Sequence, residues 1–594
     1  MSNRVVSNSD VKKALRLHGV LGSIMVSLGY YIFGFYKVVK YMDNATECQG
    51  QDFVDRFLNN MNVSADFDEG QLSNVPDEGG FVVVCNHPFG GIEGLLLYQI
   101  VTKIRPDFKL MANYILALVP NLKDSIFEVN PFTTNPEWND STKGLRASIH
   151  YLAEGHGLGI FPAGEVSRYH GHDYPEDLPW SSSVARIIKN MGVPVIPVFW
   201  EGHNSKMFYG LDRVHEMLGT ARLPRELANK HDQHFPMQIG KPILPAEIAG
   251  YEHPKDLAAY LRARTYALEA NFDWPSVETT TATPLDSSAV SSEMELELNR
   301  IREKSLLFSV ANYECYIVVY EDVINLMQEI FRLREEVFRS VGEGTGKNLD
   351  EDRFDLYYKH LVLWDSTKHR VAGSFRFGMG KEIIQNKGIN GLIISTLFEI
   401  EDSFSEYLEK TIELGRFFIA KDYQQKSFPL RLLLRGLFEL AVSHPEVEYY
   451  IGPVSVSKWY PKFYQGLIME YLVRKHFVEP ELAGKLKPRN PFRPDFLKVD
   501  IDTLLEKNMD CIEMFDKFMF RLSNGKGRVP SLLRKYLKIN AKVLGFNIDI
   551  SFNDSFDALL FAKIADFPEN EVMTLLHEGN KIEKETVNFR FGYH

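Results

Sequence analysis

Apolar residues in the first half of the chain fall into short runs that alternate with longer, helically spaced patterns. Phe81–Cys85 (FVVVC) and the segments 157–161 and 194–199 are five or six residues long and mainly apolar, the length and character of buried strands. Between and after them, 144–153 and 184–189 carry their apolar residues at helical spacing, as helices packed on a sheet do. The alternation predicts an α/β fold. The second half is less regular: 316–320, 360–364, 371–377 and 448–451 read as strands and 429–442 as a helix.

Two stretches interrupt this order. Residues 19–36 (GVLGSIMVSLGYYIFGFY) carry no charge and are flanked by Lys12, Lys13 and Arg16 on one side and Lys37 and Lys40 on the other. A spanning helix needs about 20 mainly apolar residues, and this run includes two serines and four glycines. The expectation is therefore a helix lying in a membrane interface, with its basic flanks reaching to the headgroups. Residues 275–293 (PSVETTTATPLDSSAVSSE) contain 11 Ser, Thr or Pro among 19 and cannot offset their ordering entropy by burial. They read as a linker. The expected organisation is a membrane-associating segment 1–40, an α/β domain 41–274, a linker 275–299 and a second domain 300–594.

Length and composition agree with that division. At 594 residues, with 45% hydrophobic and 25% charged, the chain is too long for one core and too apolar for disorder. Its 67 Lys+Arg against 79 Asp+Glu give a net charge of -12, which argues against nucleic acid as a partner. The four cysteines, Cys48, Cys85, Cys315 and Cys511, show no CxxC spacing, so neither a zinc ribbon nor a disulfide framework is expected.

The first strand-like run ends in Asn86-His87-Pro88-Phe89-Gly90-Gly91-Ile92-Glu93-Gly94. A histidine at a strand end followed by a carboxylate suits acid–base work, because the carboxylate can hold one ring nitrogen and raise the basicity of the other. Phe161-Pro162-Ala163-Gly164-Glu165-Val166-Ser167-Arg168 closes the second run, and Val193-Pro194-Val195-Ile196-Pro197-Val198 forms the third. In this order and at these separations the blocks resemble the NHxxxxD, FPEGTRS and VPVIPV blocks of the PlsC-like glycerophosphate acyltransferases. That resemblance implies a PlsC-like glycerolipid acyltransferase fold. It implies His87 as the general base that deprotonates an attacking hydroxyl, and Glu93 as its orienting carboxylate. Asn86, Gly90 and Gly91 would belong to the binding block, and Phe161, Pro162, Gly164, Glu165 and Arg168 to the acceptor loop. The departures are specific: the carboxylate is Glu, six rather than five positions after the histidine, the later block reads FPAGEVS, and 127–132 (FEVNPF) lacks the usual arginine. They point to an acceptor other than lysophosphatidate. Glu165 either binds acceptor, helps orient His87 or caps a strand end.

In the second half, Arg334 and Phe338, then Asp352 and Asp355, then Gly373-Ser374-Phe375-Arg376, then Glu413-Leu414-Gly415-Arg416-Phe417 follow one another. They resemble the RxxxF, DxxD, GSxR and ExxRF motifs of the acyl-homoserine-lactone synthase branch of the GNAT fold. The resemblance is greater still to the N-acyltransferases that join a 3-hydroxyacyl chain from acyl carrier protein to the α-amine of ornithine; 529–537 and 545–549 are like their closing segment. Arg376 and Arg416 suit a carboxylate clamp, since guanidinium binds carboxylate through two parallel hydrogen bonds. Asp352 and Asp355 suit an ammonium, and Glu413 is the first choice to accept its proton. Arg334 and Phe338 complete the substrate-binding set. Acyl carrier protein is acidic, so Lys426, Arg431, Arg435, Lys458 and Lys462 are candidates for its docking patch.

Together the two halves resemble the fused bifunctional synthases of ornithine-type aminolipids, the ornithine-lipid synthases. The resemblance implies that the C-terminal domain N-acylates the amino acid and the N-terminal domain then O-acylates the 3-hydroxyl of the lyso-aminolipid. It implies no cofactor, acyl-acyl carrier protein as donor with acyl-coenzyme A as the other choice for the second step, and work at the cytoplasmic face of the bacterial inner membrane. Glycine or another amino acid as head group, and a haemolysin-like lipid-binding protein without catalysis, stand as alternatives. Two other signals lead nowhere. Gly342–Asn348 fails the phosphate-loop spacing, with Val341 and Asn348 at required positions, and neither the His170-x-His172-Asp173 loop nor the His231–His234 loop offers a further well-spaced metal ligand.

Overall fold

The computed structural model describes residues 34–42, 45–113, 119–129, 139–170, 173–275, 290–576 and 584–593. Most of the segment 19–36, residues 276–289 of the linker, residues 130–132 and His172 lie outside the described residues; the last part of the expected linker, from residue 290, belongs instead to the helix Val290–Ser305, whose Met294 and Leu298 are buried in a hydrophobic core. Among the described residues, no helix is long and apolar enough to cross a membrane.

The chain divides into two compact units. The first takes in the chain as far as Asp273 together with Phe496–Asp510 and Lys517–Gly527, and the second holds the remainder from Trp274 onward. Those two late segments fall inside 300–594, which the sequence reading assigns wholly to the C-terminal domain. Within the first unit they are tied down by long-range contacts: Leu522 accepts from Asn271 Nδ2 at 3.0 Å, and Asn524 Nδ2 donates to the Ile239 carbonyl at 3.1 Å. Such contacts leave no periodic trace in local sequence.

The first unit is built on seven strands: β1 (Ser64–Asp66), β2 (Phe81–Cys85), β3 (Lys109–Asn113), β4 (Ile126–Val129), β5 (Gly157–Ile160), β6 (Val195–Trp200) and β7 (His234–Ile239). Their order is β1-β7-β6-β2-β5-β3-β4, parallel except for the antiparallel β6–β7 pair. The uninterrupted apolar run of β2 is explained by its two faces. Phe81, Val83 and Cys85 enter a core with Phe53, Phe57 and Leu96, whereas Val82 and Val84 enter another with Trp180, Ile188 and Leu261. A strand buried on both sides loses polar alternation, and parallel order places the loops after β2 and β5 at the same sheet end.

The second unit holds an eight-stranded sheet. Its strands are β8 (Leu306–Val310), β9 (Tyr313–Val318), β10 (Lys359–Asp365), β11 (Arg370–Met379), β13 (Thr411–Ile419), β14 (Tyr449–Val456), β16 (Lys542–Asp549) and β17 (Ser555–Lys563); β12 (Phe398–Ile400) pairs apart with β15 (Leu486–Pro488). The order is β16-β17-β14-β13-β11-β10-β9-β8, antiparallel except between β13 and β14. That parallel pair is bonded only along Thr411–Glu413 and Tyr449–Ile451. Beyond Glu413 the two strands separate, and Leu414–Ile419 and Gly452–Ser455 line a cavity of about 730 Å³. The opening coincides with a register shift between β11 and β13 and with Arg416 at φ +53°. Alternating apolar positions in 371–377 and 429–442 belong to β11 and to the helix Ser427–Ser443, as the patterning predicts.

Candidate functional site

The first site lies where β2 ends. His87 follows the strand directly, and the turn Phe89–Gly91 leads into the helix Ile92–Thr102, so Glu93 stands in that helix's first turn. Glu93 is fully buried, and His87 Nδ1 lies 2.8 Å from its Oε1. The carboxylate also accepts from the backbone N–H of Phe89 at 2.9 Å, Gly90 at 2.8 Å and Gly91 at 2.9 Å. Burial works against its charge, but His87 and these N–H groups outweigh it and hold the carboxyl at about 2. His87 is correspondingly raised: burial opposes the shift, and the charge and hydrogen bond of Glu93 exceed it. With Nδ1 held, Nε2 is the nitrogen left to exchange a proton with a hydroxyl. Gly90 has φ +94°, and a Cβ there would meet Leu223 and Val166 at 2.8 Å, so no larger residue fits that bend of the turn.

A residue the motif reading missed fixes the backbone of this histidine. Asp177 Oδ1 accepts from the His87 N–H at 3.1 Å and from Ser167 Oγ at 2.6 Å, while its Oδ2 accepts from Trp180 Nε1 at 3.0 Å. Ser167 N–H in turn donates to the His87 carbonyl at 2.9 Å. Asp177 thereby ties the loop after β5 to the histidine, and nothing in its local sequence marks it out.

The expected binding residues divide. Phe161 packs against the His87 ring with centroids 4.5 Å apart. Pro162 and Gly164 shape the loop: Ser181 N–H donates to Pro162 O at 3.0 Å, and Gly164, at φ +76°, donates to Phe161 O at 3.0 Å. Gly91 precedes the helix as its N-cap. Asn86, expected in the binding block, instead clamps the sheet: its Nδ2 donates to the Trp200 carbonyl at 2.9 Å, and Trp200 N–H donates to its Oδ1 at 2.7 Å. Buried, and bonded to Trp200 through both ends of its amide, Asn86 serves the sheet. Arg168, also expected to meet acceptor, is buried, with its guanidinium taken by Asp212 and by Glu165 at 3.3 Å. Glu165 therefore holds Arg168.

The second site is the cavity beside β13. Phe338 and Arg416 border it, with Val337, Phe375, Leu414 and Phe552 among its apolar walls. Behind it lies a buried ion network. Arg376 donates to both oxygens of Asp352 at 2.7 and 2.8 Å and to Asp355 at 2.9 Å. Arg334 donates to Asp350 at 3.0 Å and to Asp355 at 2.8 Å, and Arg416 Nε lies 3.0 Å from Asp350. Burial works against ionisation of Asp355, but Arg334 and Arg376 hold its carboxyl far below the usual range.

This corrects two sequence expectations. Arg376 reaches the cavity wall, but its guanidinium is spent on aspartates and does not present a free carboxylate clamp. Asp355 is likewise committed to arginines and not to an incoming ammonium. Buried charges demand such mutual pairing, and a motif shows which charged residues recur without showing whom they face. Arg416, whose side chain is 18% exposed, and Asp352, at 26%, are the members of the network with a face toward solvent.

Glu413 is also placed differently from its expected role. It is fully buried, accepts from the N–H groups of Ile393 at 3.0 Å and Ile394 at 2.7 Å and from the Tyr358 hydroxyl, and is absent from the cavity wall. Burial raises its carboxyl despite those donors. Of the candidate docking cations, Arg435 is buried, bonded to Glu439 at 2.9 Å and stacked on Phe308, which removes it from any surface patch. Lys426 borders the cavity. Among the described residues, no cluster of three or more His, Cys, Asp or Glu is arranged to hold a metal.

These folds and sites define the class. A family model described as acyltransferase matches residues 41–274, and one described as acetyltransferase (GNAT) domain matches residues 333–434. The protein is an acyltransferase with an N-terminal acyltransferase domain and a C-terminal GNAT domain. It is 30% identical over 262 residues to the glycine N(alpha)-acyltransferase of Bacteroides thetaiotaomicron, an alignment covering 41% of this chain and 75% of that protein. The chain belongs to the family of that protein. It is also 28% identical over 311 residues to the glycine N(alpha)-acyltransferase of Phocaeicola vulgatus, covering 49% of this chain and 93% of that one. To the lyso-glycine lipid O-acyltransferase of the same organism it is 26% identical over 226 residues, covering 37% of this chain and 78% of that protein.

Proposed function

We propose that this chain performs both acylations of an aminolipid. The GNAT domain transfers a 3-hydroxyacyl chain from acyl carrier protein to the α-amine of an amino acid, and the PlsC-like domain O-acylates the 3-hydroxyl of the lyso-aminolipid formed. The reading is carried by one observation: a single chain is similar both to a protein named as an N-acyltransferase and to one named as a lyso-lipid O-acyltransferase. The site chemistry supports it. His87 and Glu93 form a dyad suited to taking a proton from a hydroxyl, and an apolar cavity of about 730 Å³ next to charged groups suits an acyl thioester meeting an amine.

Ornithine is the head group that the motif resemblance implies, and glycine is the one the relatives' names carry; the proposal covers both. Work at the cytoplasmic face of the bacterial inner membrane follows from the product, an amphiphile that partitions into the bilayer. Covalent linkage keeps that intermediate at high effective concentration near the second site. Acyl carrier protein supplies the first acyl chain, and it or coenzyme A the second.

The test is expression in a bacterium without aminolipids, followed by mass spectrometry of the lipid extract. The expected result is a phosphorus-free lipid with two acyl chains, reduced to its one-chain form by His87→Ala, with the head-group fragment naming the amino acid. An unchanged lipid profile in a host that makes 3-hydroxyacyl-acyl carrier protein would overturn the proposal. It would favour a lipid-binding protein.

A further inference from the structure

We propose that Glu343 is the base that takes the proton from the acceptor amine during N-acylation. The role rests on the reading that the GNAT cavity is where amide bonds form. An amino acid arrives as an ammonium, and its nitrogen cannot attack a thioester until a proton leaves. Arg416 and Lys426 border the cavity, but cations cannot accept that proton; among the described residues, Glu343 is the one carboxylate in its wall. Glu413, the residue the motif suggests, is sealed behind the wall with its oxygens taken by Tyr358, Ile393 and Ile394. Asp350, Asp352 and Asp355 are held by arginines.

Glu343 sits on a loop built to hold it there. The loop follows the helix Ile324–Ser340 and is part of the glycine-rich run that fails as a phosphate loop. Gly342 turns it at φ +81°, so close to Trp459 and Ser457 that a Cβ would lie 2.5 and 2.6 Å from them. Asn553 Nδ2 donates to the Gly342 carbonyl at 2.8 Å, and Glu343 N–H donates to Phe338 O at 2.8 Å. Further along, Glu335 accepts from Thr345 N–H at 3.0 Å, Thr345 Oγ1 at 2.7 Å and Gly346 N–H at 3.0 Å. The backbone on both sides of Glu343 is thus anchored, while its carboxylate has neither hydrogen bond nor ion pair among the described residues.

The groups around it set its proton affinity. Burial is the largest influence and Asp557, on β17, the next; Arg416, on β13, opposes them, and the carboxyl is pushed up to about 8. Tyr460 is the other titratable group that feels its charge. Asp557 is itself buried, near Asp549 and Arg416, and pushed up to about 7. An ammonium entering here meets a carboxylate whose burial and acidic neighbour outweigh the one nearby cation, Arg416, and a base of this strength is matched to an amine. Glu343 accepts one proton from the ammonium, and the freed nitrogen bonds to the thioester carbon. The C–S bond then breaks, the departing thiolate takes the nitrogen's second surplus proton, and Glu343 passes its own to water. The products are an amide and a thiol.

The test uses the purified full chain with 3-hydroxyhexadecanoyl-acyl carrier protein and either ornithine or glycine, with amide formation followed from pH 6 to 9.5. Glu343→Gln is expected to lower kcat by about 10²- to 10⁴-fold, with a much smaller change in KM for the amino acid. It should also remove the acid limb near pH 8, and Glu343→Asp should restore part of the rate with a shifted limb. O-acylation of supplied lyso-lipid by the same preparation reports that the protein is folded. Wild-type kcat and an unaltered pH profile in Glu343→Gln would overturn the role of Glu343 alone. No amide from the wild type with either amino acid would overturn the N-acylation reading, and this role with it.

Discussion

Replacement of Glu93 by glutamine isolates what the dyad contributes, because the side chain keeps its shape and loses only its charge. Glu93 drops from 4.5 to about 2 in the folded protein, a difference equivalent to about 3 kcal/mol at 1.36 kcal/mol per pKa unit. Part of that comes from the N–H groups of Gly90 and Gly91, one of which the amide oxygen can still satisfy. Taking about 2 kcal/mol of it as the share of His87, that share stabilises the imidazolium formed as the hydroxyl is deprotonated. The expected loss of O-acylation is therefore about 30-fold in kcat. There is a second cost. Oε1 takes three donors and Oε2 takes the Gly91 N–H at 2.9 Å, so a glutamine must point its NH2 at another N–H. One unmade buried bond costs about 1–3 kcal/mol of stability. The assay is conversion of lyso-aminolipid to the two-chain product across pH 5–9, with thermal unfolding recorded in parallel. His87 acts as base only when neutral, and Glu93 raises its pKa, so the wild-type rate climbs with pH through a value above 6.5 and the variant's climb moves to lower pH. A variant with the wild-type rate and an unmoved limb would refute the dyad as the proton acceptor.

Arg376→Met leaves Asp352 and Asp355 without the guanidinium that bonds both; about 3–5 kcal/mol of stability should be lost, seen as a fall in the melting temperature. Gly342→Ala places a methyl group 2.5 Å from Trp459 in a left-handed turn, so N-acylation should fall at least tenfold while O-acylation of supplied lyso-lipid persists. Acid should destabilise the fold in a defined window. Glu93, Asp350 and Asp355 are depressed in the folded state, so their stabilisation is complete above about pH 4.5 and is lost as pH falls toward 2. Melting temperature measured from pH 6 to 3 checks this, and a flat profile would contradict the paired charges.

How much of this the sequence discloses depends on the range of the interaction. Buried strands such as Phe81–Cys85 are legible because both faces contact apolar cores, and the His87–Glu93 pair is legible because six residues spanning one turn bring the partners together. Arg376 and Asp355 are legible as charged residues but not as partners, since 21 residues and the strand β10 separate them. Asp177 lies 90 residues from the N–H it accepts, and Asp557 lies more than 200 residues beyond Glu343. Glu343 itself stands in a run that looks like a poor phosphate loop; only the separation of β13 from β14, a property of two strands with different neighbours, shows what that loop borders.

The two sites arrange carboxylates in opposite ways, and the contrast follows from what each must do. Glu93 is surrounded by donors, three N–H groups and an imidazole, so it stays ionised at about 2 and never exchanges its proton. Its negative charge is useful because it is permanent: the histidine beside it carries the proton. Among the described residues Glu343 has no hydrogen-bond donor, and burial and the neighbouring Asp557 outweigh Arg416, so it rises to about 8. A carboxylate in that state can take a proton from an ammonium and give it up again to water within a turnover. Glu413 falls between these cases. Burial lifts it while Tyr358, Ile393 and Ile394 hold its oxygens, an arrangement that braces the start of the helix Ile394–Leu397 beside β13. Glu413→Gln should therefore act first on stability. Both acylations should quicken as pH rises from 6 to 8, the first through Glu343 and the second through His87, with Glu343→Gln abolishing only the former dependence.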